Sequence, residues 1–361
     1  MSAFKLILLD MRMATNEDAH LPVYDHTKLS SINTCPTYGI LRHSMYKSMP
    51  HSKRSMALEA GSASHEGFAA TRLFQYIYHQ ATTKVQKDSA EFHGHRLFGE
   101  ARYTRMLDVI SEGATDRTNA INYVIEAVES YGFYDDIEDN RRTLSNITEA
   151  LISYIDAYSM TRYPIWVRDP DNPETDIGIE IPYNIVVEVI YDMCDGKGQK
   201  TIKVRFSGKL DGLHWDKDNL FVYEEKTGGR LDDHWLAQWI LSHQITGYCL
   251  AGTTFTGLPC DRALIGGMRL PIGRVPAEGI RKEQVNRKPI MYEKWANWFV
   301  TTILMEEQYR DDVVNAPMYT NSCNRYFSTC SFLPFCAADD VEEKELIISE
   351  MVHDHWDVLN E

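Results

Sequence analysis

Charged residues near the ends of two neighbouring predicted strands are the first candidates for chemistry in this 361-residue chain. Asp211 lies at the end of one strand in the run GKLDG, and Glu224 and Lys226 lie at the end of the next in VYEEKT. Side chains two apart in a strand point to the same face, so Glu224 and Lys226 share a face. A hairpin of the two strands would bring two carboxylates and an ammonium to one edge of a sheet.

The chemistry that such a group supports is phosphoryl transfer with a divalent cation. Mg²⁺ takes oxygen ligands, and one or two carboxylates bind it together with water and a substrate phosphate. An ammonium beside the cation can orient an attacking water or offset charge on the phosphate. Taken singly, charged residues at strand ends are more often solvated flanks of turns, so the prediction depends on their combination.

Two further segments add candidate side chains. His65 lies four residues after Gly61 on a predicted helix, and an imidazole is a competent additional ligand for Mn²⁺ or Mg²⁺. Gln244 and Tyr248 are four apart on a later predicted helix, so they share one face of it. A helical pair of glutamine and tyrosine is more often part of the edge of a core than of a binding site.

The order and spacing of these segments resemble the four motifs of the RecB-type branch of the PD-(D/E)XK nuclease superfamily. The matching runs are Gly61 to His65, GKLDG at 208–212, EEKT at 224–227, and Gln244 to Tyr248. The resemblance covers about residues 30–336. It implies a restriction-endonuclease-like α/β core, with a mixed central sheet flanked by helices and a helical insertion at about 66–165.

The resemblance also implies a role for each matched residue. The implied roles are metal binding for His65, Asp211 and Glu224, assistance to hydrolysis for Lys226, and substrate positioning for Gln244 and Tyr248. Glu225 stands where a hydrophobic residue is common in this family. Strand alternation with Lys226 favours Glu224 over Glu225 as the metal ligand.

The seven cysteines are the second feature that the resemblance accounts for. An odd number of cysteines, with no recognisable secretory segment, disfavours structural disulfides and favours metal ligation. Cys35, Cys323, Cys330 and Cys336 resemble the split four-cysteine site of iron–sulfur nucleases in this branch, such as AddB-type helicase–nucleases and the CRISPR adaptation nuclease. That resemblance implies a [4Fe–4S] cluster, in which the segment 320–340 pairs with Cys35.

Zinc is the main alternative to an iron–sulfur cluster, and four unrelated cysteines are the other. Paired zinc ligands usually have about two to four residues between them. The three C-terminal cysteines have gaps of six and five residues, from Cys323 to Cys330 and from Cys330 to Cys336. The spacing therefore favours iron–sulfur over zinc.

The pattern of apolar and turn-forming residues predicts the elements that would hold these groups. Helices are predicted around Cys35 and over 55–79, 232–250, 289–312 and 339–357, and two or three helical segments are predicted within 100–163. Strands are predicted as an antiparallel meander at 179–193, 201–215 and 220–227, with one more at 262–270. This alternation indicates an α/β protein.

Composition and charge narrow the function further. The net charge of −15 argues against a broad basic face for nucleic acid, so we expect DNA to meet a narrow cleft near Lys226, Gln244 and Tyr248. No GxxxxGK loop followed by serine or threonine occurs, which disfavours an ATP-driven motor on this chain. No stretch approaches ~20 uncharged apolar residues, and we expect a cytoplasmic protein encoded by a bacterium or a phage.

The sequence thus predicts a single elaborated nuclease domain over 1–361 that cuts DNA. An exonuclease acting on DNA ends or single strands, in recombination, repair or phage DNA processing, fits it best. One alternative is a protein of the same fold that binds DNA ends without cutting, and the other is a zinc-stabilised interaction protein. The set Asp211, Glu224 and Lys226 disfavours the first alternative, because buried charges are costly without a metal.

Overall fold

The computed structural model describes residues 4–50, 55–135, 142–158, 163–193, 198–270, 279–325 and 328–354. Contacts divide the chain into two compact units. The terminal unit comprises Met1–Lys53, Pro182–Gly208 and Pro289–Glu361, and the central unit comprises Arg54–Ile181 and Lys209–Lys288. The expectation of one elaborated domain stays a prediction, because two such units can belong to one fold.

The fold class is mixed α/β, with a mixed sheet flanked by helices, which confirms the sequence prediction. The strands of the described residues are β1 (Phe4–Met13), β2 (Val23–Tyr24), β3 (Lys47–Ser48), β4 (Ile179–Met193), β5 (Gly198–Asp216), β6 (Asn219–Gly228), β7 (Arg262–Arg269), β8 (Ile280–Asn286), β9 (Asn324–Arg325), β10 (Ser328–Thr329) and β11 (Val352–His353). The α-helices are α1 (His26–Thr34), α2 (Pro36–Gly39), α3 (Met56–Gln75), α4 (Lys84–Phe98), α5 (Glu100–Asp108), α6 (Asp116–Glu129), α7 (Leu144–Tyr158), α8 (Asp233–Ile240), α9 (His243–Thr256), α10 (Pro289–Tyr309), α11 (Leu333–Ala337) and α12 (Val341–Glu350). None of these helices has the length and apolar character needed to cross a membrane.

Strand pairing makes the sheet mixed. In the terminal unit, β1 pairs antiparallel with β4, and β2 pairs parallel with β5. In the central unit, β5 pairs antiparallel with β6, β6 pairs parallel with β7, and β7 pairs antiparallel with β8. The three strands of the predicted meander are β4, β5 and β6. The parallel step from β6 to β7 needs a crossover, and α8 and α9 supply it.

Helices α3 to α7 share one core in the central unit, rich in alanine and aromatic side chains. The predicted helix over 55–79 is α3, which continues as a π-helical turn over Tyr76–Gln80. A Cβ at Gly67 of α3 would lie 2.4 Å from Leu151 Cδ1 of α7, so glycine permits this close approach of the two helices. Helices α4 to α7 lie within 66–165, the interval that the sequence predicts as a helical insertion.

The single helix predicted over 232–250 is wrong, because the chain forms two helices there, α8 and α9. Ser242 begins the second helix by accepting a hydrogen bond from the backbone N–H of Ile245. Arg287 satisfies carbonyls left open at the end of α8, since its guanidinium donates to the oxygens of Trp239 and Ile240 at 2.7 Å. The pattern of apolar residues runs through this break and hides it.

The predicted terminal helix over 339–357 is too long. The helix α12 ends at Glu350, and β11 then pairs antiparallel with β3 near the other end of the chain. Residues 355–357 lie outside the described residues. The pairing with β3 is a contact between distant segments, which helical periodicity does not report.

A buried carboxylate, Glu306 of α10, organises polar contacts in the terminal unit. The hydroxyls of Tyr24 and Ser44 donate to it at 2.8 and 2.7 Å. Arg310 Nε donates to its Oε1 at 2.8 Å, and Lys28 Nζ lies 3.5 Å from the same oxygen. Burial opposes ionisation, but these partners, with Arg310 foremost, lower the pKa of Glu306 to about 2.

We predict that Glu306 makes the stability of the chain depend on acid. Because its folded pKa of about 2 lies below its ordinary value of 4.5, the stabilisation is complete above pH 4.5 and is lost as pH falls towards 2. The shift corresponds to about 3 kcal/mol in the free energy of unfolding. Glu306→Gln should flatten this pH dependence in chemical denaturation, while the exposed control Glu345→Gln should keep it. An unchanged pH profile in Glu306→Gln would contradict the prediction.

Candidate metal and active site

Strands β5 and β6 stop pairing where the predicted site residues begin. Their antiparallel register ends with Gly212 opposite Tyr223. At the next position the side chain of Asp211 takes over, since its Oδ2 accepts a hydrogen bond of 2.8 Å from the backbone N–H of Glu225. The neighbouring strand therefore fixes the orientation of the Asp211 carboxylate.

Helix α3 brings His65 to the same carboxylate, with its Nδ1 3.7 Å from Asp211 Oδ1. Glu180, at the start of β4, joins them, and one donor atom from each of the three side chains lies within 4.8 Å of the others. The His65 side chain is 30% exposed and that of Asp211 is 11% exposed, so the group opens to solvent at the histidine. The sequence analysis missed Glu180, because it matches no motif and only the tertiary structure brings it here.

Arg72, two turns further along α3, ties several of these segments together. The side chain is fully buried, and its Nη1 donates to the carbonyl oxygen of Asp211. Its Nη2 lies 2.8 Å from Glu225 Oε2 and 3.2 Å from Glu180 Oε1. A Cβ at Gly212 would lie 2.8 Å from Arg72 Nη1, so the final glycine of GKLDG leaves room for the guanidinium.

Glu225 has partners of its own within the central unit. Besides the ion pair with Arg72, it accepts a hydrogen bond from the hydroxyl of Tyr154 on α7. Burial raises the pKa of Glu225 to about 7, although Arg72 opposes the rise. The hydroxyl of Tyr154 thus satisfies Oε1, and the guanidinium of Arg72 lies against Oε2 as an ion pair. These contacts support the choice of Glu224 as the ligand, which stays a prediction.

Glu224 and Lys226 form an ion pair on the same face of β6. Glu224 is fully buried, and its Oε2 has no hydrogen-bond partner among the described residues. Burial, followed by the charge of Asp211, raises the pKa of Glu224 to about 8. A buried carboxylate oxygen without a partner is costly. A cation beside Glu224 would remove that cost, so this carboxylate suits a divalent cation. The group whose donor atoms lie within 4.8 Å of one another nevertheless comprises His65, Glu180 and Asp211, without Glu224.

The charges around Asp211 favour its ionised form. Burial by itself raises the pKa of this carboxyl, but the charge of His65 when its imidazole is protonated, and the lasting charges of Lys226 and Arg72, hold it below its usual range. Burial lowers the pKa of His65 against the opposing effect of Asp211, which favours the neutral imidazole that metal ions bind. An anionic carboxylate beside a neutral imidazole is a suitable pair of donors for a divalent cation.

Gln244 and Tyr248 lie on one face of α9, and Gln244 Nε2 donates to the Tyr248 hydroxyl at 3.0 Å. Both side chains are half-buried. Helix α9 packs against β6 and β7, so it contacts the strand that carries Glu224 and Lys226. The role of the pair in holding substrate stays a prediction.

The four predicted cluster ligands lie together in the terminal unit. Cys35 is buried between α1 and α2, and the backbone N–H of Cys330 donates to the carbonyl of Cys323 at 2.8 Å. Burial, followed by the charges of Cys35, Cys330 and Cys323, raises the pKa of Cys336 to about 11. The four thiols are therefore close enough to affect one another electrostatically.

The surroundings of two of these thiols are apolar. Cys330 and Cys336 pack against the hydrophobic core of the terminal unit. Among the described cysteines, no three sulfur atoms all lie within 4.8 Å of one another. Cys249 and Cys260 are buried in the central unit, and Cys194 lies outside the described residues.

Comparisons with known proteins give weak similarities only. No family model and no curated protein matches the chain. Among solved structures, SSO0001 is similar over 76% of this chain and 97% of its own, with 12% identity and a TM-score of 0.28. An alkaline exonuclease from Laribacter hongkongensis, LHK-Exo, is similar over 58% of this chain and 88% of its own, with 14% identity and a TM-score of 0.25, both alone and in complex with dAMP. Similarities at this level carry no argument about activity.

We predict that Arg72 is the largest single electrostatic contributor to the stability of the central unit. Arg72→Met keeps similar volume but leaves Glu225, Glu180 and the Asp211 carbonyl without a buried cation, which should lower the free energy of unfolding by about 3 kcal/mol or more. Chemical denaturation measures this loss. The control Arg105→Met removes an exposed ion pair and should cost less than about 1 kcal/mol. Equal losses in the two variants would contradict the prediction.

Proposed function

We propose that this chain is a metal-dependent nuclease that hydrolyses phosphodiester bonds of DNA. The observation that carries the proposal is the convergence of His65, Asp211, Glu224 and Lys226, which come from three segments of the chain, around one group of buried charges. The fold class and the motif order of the sequence are consistent with it. An exonuclease acting on DNA ends or single strands, in recombination, repair or phage DNA processing, is the form of the activity that we propose.

His65, Asp211 and Glu224 would hold the divalent cation, Mg²⁺ or Mn²⁺. When bound, the cation lowers the pKa of water and stabilises charge on the phosphoryl group. Asp211 is held for this task by the backbone of Glu225, and Glu224 brings a buried oxygen without a partner. Hard oxygen donors with one imidazole suit Mg²⁺ or Mn²⁺ better than a soft metal.

Lys226 supplies a positive charge at the solvent side of this group. Its side chain is 25% exposed, whereas its partner Glu224 is fully buried. The ammonium can therefore orient an attacking water and offset the charge that develops on the phosphate. Gln244 and Tyr248, on the helix that packs against the same strand, would position the substrate.

The charge of the whole chain limits how DNA would be bound. A net charge of −15 repels a polyanion such as DNA, so we expect the chain to contact few phosphates. Stacking of a base on an aromatic ring such as Tyr248 would favour single strands or frayed ends. These expectations favour an exonuclease over an enzyme that grips long duplexes.

We predict that purified protein degrades end-labelled single- or double-stranded DNA with Mg²⁺ or Mn²⁺ and stops when EDTA is added. Asp211→Ala or Lys226→Ala should reduce the rate by ~10²-fold or more, because charge stabilisation of the transition state is the main catalytic effect. Circular dichroism should show that both variants stay folded. Gel analysis of the labelled products gives the rates and reports whether digestion begins at ends.

The control for this experiment is Lys203→Ala, which removes a lysine from the part of β5 that belongs to the terminal unit. Its rate should stay within about twofold of the parent, since surface ion pairs contribute little. Near-full activity in Asp211→Ala would refute the proposed site. DNA binding without cleavage under every metal condition would favour the protein that binds ends without cutting.

We further propose that Cys35, Cys323, Cys330 and Cys336 hold a [4Fe–4S] cluster. Support comes from the packing of Cys330 and Cys336 against one apolar core, from the effect of the other three thiols on the pKa of Cys336, and from the fact that no three described sulfur atoms lie within 4.8 Å of one another. Zinc–sulfur bonds of about 2.3 Å would hold all thiolates within ~4 Å of one another. A cluster of four irons is larger and holds its thiolates farther apart.

We predict that protein purified without oxygen is brown and contains iron and sulfide, and that Cys330→Ala loses both. Ligation of Cys35 and Cys323 closes a loop of 288 positions, which stabilises the fold by about 5 kcal/mol on loop-entropy arguments. The variant should therefore also melt at lower temperature. Cys260→Ala, outside the group of four, should keep its iron. A colourless parent that contains zinc would establish the zinc alternative instead.

A further inference from the structure

Glu180 is in an unusual backbone conformation for a residue that is not glycine. Its φ is +47°, in the left-handed region, and it is 7% exposed at the start of β4. A residue other than glycine is strained in this region, and the conformation persists only where the surroundings hold it. None of the roles proposed above for the site residues uses this carboxylate.

Two side chains of α4 hold the backbone at this position. Arg96 Nη1 donates to the Glu180 carbonyl at 3.1 Å, and its Nη2 donates to the Ile179 carbonyl at 2.9 Å. Arg96 Nε in turn donates to His93 Nδ1 at 3.1 Å, and the other ring nitrogen of His93 lies 2.6 Å from the Thr175 carbonyl oxygen. These hydrogen bonds therefore hold the backbone both at Glu180 itself and five residues before it, at Thr175.

The carboxylate of Glu180 points into the group formed by His65 and Asp211. One donor atom from each of these three side chains lies within 4.8 Å of the others. Glu180 Oε1 lies 3.2 Å from Arg72, which is fully buried, and Oε2 lies 3.2 Å from Lys209 Nζ, whose side chain is 44% exposed. Glu180 can exchange this exposed ammonium for a metal cation, because the ammonium of Lys209 can turn into water.

A second observation also points to a cation here. Glu224, which pairs with Lys226 on β6, is fully buried, and its Oε2 has no hydrogen-bond partner among the described side chains. One carboxylate oxygen of the proposed ligand set therefore has no protein donor among the described residues. Glu180 adds another carboxylate to this group, and it lies on a segment that none of the four sequence motifs contains.

We propose that Glu180 is a further ligand of the divalent cation, sharing a position with His65 and Asp211 and releasing Lys209 when the cation binds. This inference rests on the proposed function, because it assigns another residue to the same site. It differs from that proposal in a testable way, since the ligand set taken from the sequence omits both Glu180 and Lys209.

The test is Mn²⁺ binding to the full chain without DNA, followed by electron paramagnetic resonance of the free ion. Glu180→Gln should weaken Mn²⁺ binding at least about tenfold, as the loss of a ligand does. Lys209→Gln should tighten it at least about twofold, because the competing ammonium is gone. Glu66→Gln is the charge-matched control, since it removes one carboxylate beside His65 that pairs with Arg102 instead, and it should bind Mn²⁺ within about twofold of the parent.

The outcomes separate this inference from the proposed function. Parent-like binding in Glu180→Gln, or equal weakening in Glu180→Gln and Glu66→Gln, overturns the ligand role of Glu180. If Asp211→Asn loses Mn²⁺ in the same series, the proposed function survives that result. Failure of the parent chain to bind Mn²⁺ overturns both. Should Glu180→Gln not fold, as judged by circular dichroism, unchanged or weaker binding in the exposed variant Lys209→Gln overturns the inference.

Discussion

The candidate site depends on one interaction, the pairing of the buried guanidinium of Arg72 with its carboxylate and carbonyl partners. A charge this deeply buried is stable only when partners surround it, and its partners come from segments far apart in the chain. They are Glu180 at the start of β4, the carbonyl of Asp211 in β5, and Glu225 in β6. Each of these segments carries or adjoins a proposed metal ligand. Pairing one cation therefore sets the relative positions of the carboxylates that would bind another.

The carboxylates near Asp211 differ in protonation because their surroundings differ. Asp211 faces His65 and Lys226 and accepts a backbone hydrogen bond, so its pKa stays below the ordinary range. Glu224 is fully buried and faces the charge of Asp211, so its pKa rises to about 8. Groups whose pKa values are pushed apart in this way are typical of functional sites. The strain at Glu180 belongs to the same arrangement, since it holds one more carboxylate where repulsion is already high.

The terminal unit joins the two ends of the described chain by contacts that do not involve sulfur. Thr37 Oγ1 donates to the carbonyl of Ala316 at 3.0 Å, and β3 pairs with β11. Glu306 links α10 to Tyr24 and Ser44. A cluster held by the four cysteines would reinforce a connection that packing and hydrogen bonds already make. A cluster in that position would have a structural role and would take no part in hydrolysis.

Local patterns in the sequence predicted four strands of the sheet, β4 to β7, and many of the helices, but not β1, β8 or α4. Period-two alternation located β4, β5 and β6, and helical spacing located α3 and placed Gln244 and Tyr248 on one face of α9. These features depend on neighbours in the chain, which is why periodicity reports them. Periodicity did not predict the break between α8 and α9. Arg287, which donates hydrogen bonds to the last carbonyls of α8, lies 47 positions after Ile240.

Only the tertiary structure decided which charges meet. No motif in the sequence identifies Glu180, yet folding places it beside His65 and Asp211. Arg72 likewise belongs to no motif, although it forms an ion pair with Glu180. The alternation of β6 indicated that Glu225 points away from Lys226, but its partners Arg72 and Tyr154 could not be inferred. The physical reason is that a buried charge is satisfied by whichever groups the packing brings within hydrogen-bond distance, and those groups are distant in sequence.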